Sequence, residues 1–247
     1  SRLSGRAESI ALGGDFRAST PRIMKAVGFA IREEGCEMVY QGILPSPALA
    51  LFGIRQGIPS IMVTGSHIPD DRNGIKFNLS GGEILKHDEP GIMEQYQELK
   101  AEDAGQESFV EAGFLRKEVE VNLQAPENRA IMMYRDRLLG FFGPGSPLAG
   151  SRIVFYQHSS TSREILPQIL EELGAMVIRK GYSDSFVPVD TEAVEDLDRL
   201  ASWVRESRAD ALISTDGDGD RPLVVDEKGS FIRGDILGIL AADYLGA

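Results

Sequence analysis

A short buried strand over residues 209–215 runs directly into Asp216-Gly217-Asp218-Gly219-Asp220-Arg221, and this junction restricts the fold more than any other stretch of the chain. In extended chain, side chains at i, i+2 and i+4 share one face at a spacing of roughly 6.6 Å. Two unit charges that far apart repel by about 2.5 kcal/mol at an effective dielectric of ~20. The glycines let the backbone curl, which brings the oxygens closer and raises that cost. A hard, oxygen-seeking divalent cation resolves the conflict, so Asp216, Asp218 and Asp220 are candidate metal ligands. Their place at the C-terminal end of a strand points to an open α/β sheet, which binds ligands at that edge. An acidic surface turn is the competing reading, and the apolar strand leading into the run weighs against it.

The rest of the chain supplies such sheets. Residues 9–14 read as a strand, followed by a helix with Thr20 as N-cap, Pro21 at its first position, and Ile23, Val27, Ala30 and Ile31 on its apolar face. Gly35 ends that helix, residues 38–40 form the next strand, 47–55 a second helix and 60–64 a third strand. Residues 91–118 read as an acidic, solvated helical stretch, and 128–139 as a further helix. The Gly- and Pro-rich stretch 140–147 marks a boundary, after which strand and helix alternate again. Strands are expected at 152–156, 176–178, 209–215 and 222–226. Helices are expected at 162–173, with Pro167 delaying or kinking its start, at 191–206 and at 235–245. The fold class is therefore α/β: two consecutive three-layer αβα domains with mixed, mostly parallel sheets, residues 1–143 and 144–247.

Charge narrows the partners. A net charge of −12 argues against nucleic acid or an anionic membrane, while phosphorylated small molecules remain compatible if a metal or local cations receive them. The single cysteine, Cys36, has no ligand-spaced companion and reads as a small core residue. No apolar run approaches membrane-spanning length and no signal-peptide pattern opens the sequence, so a cytoplasmic setting is expected. Nothing in the sequence bears on oligomeric state.

A second loop, Thr64-Gly65-Ser66-His67-Ile68-Pro69, follows the third strand and presents a serine where a ligand can reach it. Adjacent Ser66 and His67 point apart in extended chain, and Ile68 breaks the G-x-S-x-G elbow, so a hydrolase triad is not indicated. Alone, the loop reads first as an ordinary polar turn. His87 and His158 lack ligand-spaced companions and read as satisfied histidines.

T-G-S-H-x-P, then N-G-I-K-F at 73–77 and D-G-D-G-D-R at 216–221, in this order, resemble the α-D-phosphohexomutases, the family of phosphomannomutases and phosphoglucomutases. Gly13-Gly14-Asp15-Phe16-Arg17-Ala18-Ser19 is similar to that family's G-R-D-x-R-x-S turn, with Gly14 where arginine is more usual. The resemblance implies a phosphoserine enzyme that interconverts hexose 1-phosphates and hexose 6-phosphates, mannose foremost and glucose next. Ser66 would carry the phosphoryl group, and one Mg²⁺ would be held by Asp216, Asp218, Asp220 and the phosphoserine. Hexose 1,6-bisphosphate would be the intermediate and activator. His67 and Lys76 would serve proton transfer and phosphate contact, Arg221 would pair with phosphate oxygens, and Arg17 would add to the cationic rim.

The family's sugar-reading G-E-x-S-G-H loop and its C-terminal phosphate loop are not found, which suggests the first two of four domains. An inactive fragment that keeps its metal site is therefore one alternative. A haloacid-dehalogenase-like phosphatase would leave the Ser66 loop without a role. An EF-hand fails because Arg221 stands where its loop needs glycine and 222–226 reads as strand.

Overall fold

The computed structural model describes residues 7–101, 106–110, 114–117, 121–123 and 125–246. Among them the chain forms β1 (Ser9–Gly14), α1 (Thr20–Glu33), β2 (Glu37–Ile43), α2 (Ser46–Gln56), β3 (Ser60–Val63), β4 (Ile75–Leu79), β5 (Gly82–Glu83), α3 (Glu89–Ala101) and α4 (Arg129–Phe142). It continues as β6 (Arg152–His158), α5 (Ile165–Glu172), β7 (Met176–Tyr182), α6 (Leu197–Ser207), β8 (Ala211–Thr215), β9 (Pro222–Asp226), β10 (Phe231–Ile232) and α7 (Gly234–Leu245).

Two five-stranded sheets result, ordered β2-β1-β3-β4-β5 and β7-β6-β8-β9-β10. They share one topology. In each, the first strand pairs in parallel with the second on one side and with the third on the other, and the outer two strands turn back antiparallel. The chain thus leaves the first strand of each sheet in opposite directions, and a crevice opens at the C-terminal ends of the first and third strands. The Ser66 loop follows β3 and the aspartate loop follows β8, so both candidate loops sit at a switch point.

Strand alternation feeds two layers of core. Leu12 and Val63 face α1 through Met24 and Ile31, while their neighbours Ala11 and Met62 face α2 and α4 through Leu49, Phe52 and Ala130. In the second sheet Val154, Leu212, Leu223 and Val225 pack on Leu200 and Val204 of α6. Ile165 and Ile169 of α5, with Leu173 at its C-cap, gather Ile131, Tyr134, Leu138 and Leu139 of α4. Helix α4 therefore belongs to the cores of both halves and ties them together.

Several local expectations shift. Ser19 rather than Thr20 flanks α1, and its buried stripe runs through Met24, Gly28 and Ile31, leaving Ala30 exposed. Of the helical stretch expected over 91–118, the described helix runs to Ala101; a 3-10 turn at Gln106–Ser108 and a Phe109–Leu115 bridge follow, and residues 102–105, 111–113 and 118 lie outside the described residues. Helix α4 extends to Phe142, three residues into the expected boundary. The helix expected from 191 begins at Leu197, because the Glu192 amide donates to Asp190 Oδ1 at 2.8 Å, a local turn that competes with helix. The β4–β5 hairpin is new, and it carries Lys76.

Candidate active site at the seam of two sheets

The serine loop is built on a buried acid. Asp15, at the end of β1, accepts from the Arg17 amide (3.0 Å), Thr20 Oγ1 (2.5 Å), Thr64 Oγ1 (2.9 Å) and the Gly65 amide (3.3 Å). Thr64 Oγ1 in turn accepts from the Ser66 amide at 2.8 Å. The Asn73 amide group donates to Ser19 Oγ and Thr20 Oγ1, which pins the far end of the loop to the start of α1.

Arg17 completes this scaffold from within. The residue is 1% exposed and its Nε lies 3.3 Å from Asp15 Oδ2, a charge contact without hydrogen-bond alignment. Nη1 donates to the carbonyls of Pro69 (2.6 Å) and Arg72 (3.0 Å), and Nη2 to those of Ser66 (3.0 Å) and Ile68 (2.6 Å). The expected rim cation is thus a buried clamp whose forked donors are spent on the loop itself. Glycine at 65 is required, since a β-carbon there would fall 2.6 Å from Arg17 Cζ.

Ser66 adopts φ +49, in the left-handed region, and its side chain turns toward the second sheet. Its hydroxyl donates to Asp216 Oδ2 at 2.8 Å, across 150 residues of sequence. The same turn brings His67 Nδ1 to 3.4 Å from Ser66 Oγ, so the expectation that the two side chains diverge fails; it holds for extended backbone and not for this φ.

On the opposing side the aspartate run is a tight turn, and one oxygen from each of Asp216, Asp218 and Asp220 falls within 4.8 Å of the others. Asp216 Oδ1 accepts the amides of Gly219 (3.1 Å), Asp220 (3.2 Å) and Arg221 (3.2 Å), which fixes the turn and its carboxylate. Burial, reinforced by the charges of Asp218 and Asp220, pushes the Asp216 carboxyl up to about 7 against the opposing hydrogen bonds from Ser66 and the Arg221 amide. Asp218 is fully buried, and its Oδ1 has no hydrogen-bond partner. A buried, orphaned carboxylate oxygen beside two further carboxylates is the donor set a hard divalent cation takes. The turn does not continue as an EF-hand, since β9 follows it.

Lys76 reaches in from β4, and its Nζ donates to Asp218 Oδ2 and Asp220 Oδ2, both at 2.7 Å. Burial pulls its pKa down, but the charges and hydrogen bonds of Asp218 and Asp220 outweigh it and raise the net value. Arg221 stands apart: its exposed guanidinium pairs with Glu192 at 3.3 Å, and only its backbone serves the cluster. The Ser46 amide at the start of α2 donates to the Asp218 carbonyl (2.8 Å), so the first half also holds the metal loop. An open cavity of about 440 Å³ adjoins Lys76 and Asp220, lined by Ser46, Pro47, Asn78 and Glu83 among others.

Two residues set aside or passed over in the sequence prove structural here. His158 is fully buried at φ +26, and its Nε2 donates to the Thr215 carbonyl at 2.8 Å, one residue before Asp216. Burial drives its pKa down to about 4, so the ring is neutral with its proton on Nε2. Asp15 stands in a quoted motif but gains its role only once the loops converge. His87 is exposed and lies 3.6 Å from Asp88.

The same order of loops occurs in known proteins. The sequence pattern of the phosphoglucomutase/phosphomannomutase alpha/beta/alpha domain I matches residues 2–103, and that of domain II matches residues 144–229. A phosphomannomutase from Salmonella muenchen is 41% identical over 244 residues, covering 97% of this chain and 47% of the relative. One from Sinorhizobium fredii is 43% identical over 242 residues, covering 97% and 48%. A solved phosphoglucomutase/phosphomannomutase family protein from Burkholderia thailandensis superposes with a TM-score of 0.74 at 20% identity, covering 96% of this chain and 50% of that one, a likeness of fold. The chain therefore spans about half the length of the curated relatives it matches. With both domain patterns in sequence and both loops facing one another, the chain belongs to the phosphoglucomutase/phosphomannomutase family and corresponds to its first two α/β/α domains.

Proposed function

We propose that this chain carries the phosphoryl-transfer centre of a phosphohexomutase that interconverts hexose 1-phosphate and hexose 6-phosphate, with mannose the first candidate sugar and glucose the second. Residues 1–143 would form the serine-bearing domain and 144–247 the metal-bearing one. The observation that carries this reading is the 2.8 Å approach of Ser66 Oγ to Asp216 Oδ2 between the two sheets. A serine at that position is useful as a carrier, because it splits migration of phosphate between two sugar carbons into two transfers.

In the forward cycle, the 6-hydroxyl oxygen of a hexose 1-phosphate attacks the phosphorus of phospho-Ser66. The P–Oγ bond breaks, the hydroxyl proton leaves, and hexose 1,6-bisphosphate forms. After reorientation Ser66 Oγ takes the phosphoryl group from C1, and hexose 6-phosphate departs. His67, 3.4 Å from Ser66 Oγ, is placed to exchange the proton, and Lys76 to contact phosphate oxygens. Arg221 would have to leave Glu192 to reach a phosphate. Arg17 serves by fixing the loop.

A phosphoserine adds a charge of about −1.5 to −2 beside three aspartates. The orphaned Asp218 Oδ1 and the neighbouring oxygens of Asp216 and Asp220 fit a single Mg²⁺, with Ser66 completing the set. When bound, such an ion neutralises charge on the transferring phosphoryl oxygens. A phosphatase using Asp216 or Asp218 as nucleophile is disfavoured because it leaves the Ser66 loop without a role, and for Asp216 also because both its oxygens are already engaged.

Intact-mass spectrometry and peptide mapping after incubation with hexose 1,6-bisphosphate and Mg²⁺ test the reading. One phosphoryl group on Ser66 is expected, absent in Ser66→Ala. An unmodified Ser66 in an enzyme of this sequence that turns over would overturn it.

A further inference from the structure

We propose that Phe186, supplied by the metal-bearing half, is a positioning residue for the serine loop: its ring seals the Arg17 clamp and wedges the two loops at a fixed separation. The ring centroid lies 4.3 Å from Arg17 Cζ. That guanidinium is the one whose four bonds hold the carbonyls of Ser66, Ile68, Pro69 and Arg72, with its in-plane edges spent on oxygen and its face left to the ring. A β-carbon at Gly217 would fall 3.2 Å from Phe186 Cε2 and 3.1 Å from the Ser66 carbonyl oxygen. Phe186 therefore touches the clamp of one loop and the first glycine of the other, at the point where Ser66 meets Asp216.

The ring does not hang on a free tail. Ser159, just past β6, accepts from the Val187 amide (2.7 Å) and donates to the Val187 carbonyl (3.3 Å). Ser183 Oγ bridges the Ser185 amide and carbonyl, and Arg163 Nη1 donates to the Ser183 carbonyl at 2.8 Å. Arg163 also stacks on Phe16, next to Arg17, at 4.0 Å. Two cation–π contacts of opposite sense thus cross the seam, and the one made by Phe186 bears on the catalytic loop. A guanidinium covered by an aromatic face loses its competition with water, which strengthens each bond it makes to the carbonyls below.

The functional meaning of this contact rests on Ser66 being the phosphoryl carrier, but its test does not. Amide hydrogen exchange in the metal-free chain would be compared for wild type, Phe186→Ala, Phe186→Leu and Phe186→Tyr. The amides of Ser66, Ile68 and Arg72 should exchange about tenfold to about thirtyfold faster in the Ala and Leu variants, the range a desolvated cation–π contact supplies. Phe186→Tyr should keep wild-type rates, and amides of β6 and β8 should be unchanged in all four. Should Ala unfold the chain, Leu decides. Wild-type protection of the loop in Phe186→Leu would overturn the proposal, as would loss of protection in Phe186→Tyr. Either result leaves the phosphoserine reading standing, and an unphosphorylated Ser66 would leave the ring contact standing.

Discussion

The two halves repeat one strand order and one switch point, yet they hold their loops by opposite means. In the first half a buried ion pair, Asp15 with Arg17, supports the serine loop, and the arginine points a fixed positive charge up into it. In the second half the groups beneath the aspartate loop are neutral: Ser160 Oγ with Thr215 Oγ1 (2.6 Å), Ser214 Oγ to the Tyr156 carbonyl (2.7 Å), and the uncharged His158 on the Thr215 carbonyl; the charged contacts come from the loop's own Asp216 and from Lys76 of the other half. On the proposed function, the difference follows from what each loop would carry. A loop that takes on a phosphate gains from a cation in its floor. Three carboxylates that would take an ion would lose affinity to a cation fixed beneath them, so neutral donors suit that side better.

Removing the charged floor should cost most. Arg17→Met leaves Asp15 buried without its counter-charge and four loop carbonyls without donors, and should destabilise the chain by about 3–5 kcal/mol in urea unfolding. Arg17→Lys should recover only a minor part, because one ammonium cannot span four carbonyls. Wild-type stability in either variant would mean that the two halves do not differ in this way.

The neutral floor should instead be sensitive to acid. The folded-state pKa of His158 is about 4, below the ordinary 6.5, so its contribution is complete above about pH 6.5 and lost as pH falls through 4. Relative to His158→Phe, wild type should lose on the order of 3 kcal/mol across that window. Effects of Asp216 titration are common to both proteins and cancel in the difference. Parallel stability curves would show that His158 titrates freely.

Less of this was legible in the sequence than of the loops themselves. D-G-D-G-D-R and T-G-S-H declare their chemistry locally, because alternating carboxylates and a strand-end serine carry their meaning within six residues. Arg17 does not: beside Ser19 and Pro21 it reads as a surface residue at a helix start, and only the return of 66–72 over it shows why it is buried. Phe186 and His158 gain their roles from contacts between distant segments, which no local spacing reports. The β4–β5 hairpin is short, and the five residues Ile75–Leu79 offer too little alternation to mark a strand on their own. The helix expected over 191–206 starts only at Leu197, where an Asp turn competes with an acceptable apolar pattern.

The smallest expected effect concerns the gap between the halves. Gly217→Ala would press a methyl group against the Ser66 carbonyl and the Phe186 ring, and should cost about 1–3 kcal/mol by overpacking. Gly81→Ala, with nothing within 4 Å of the added carbon, should stay within about 0.5 kcal/mol of wild type. Equal stabilities for the two variants would mean the loops are not in contact.

The central claim is that the oxygen of Ser66 and the carboxylates of the other half converge on one cation. A thiol in place of that oxygen makes the convergence visible: Ser66→Cys titrated with Cd²⁺ should develop a thiolate-to-cadmium charge-transfer band. The band should be absent in wild type, whose only cysteine is Cys36, and lost when Asp218→Asn is added. No band in Ser66→Cys, or a band indifferent to Asp218, would contradict the account.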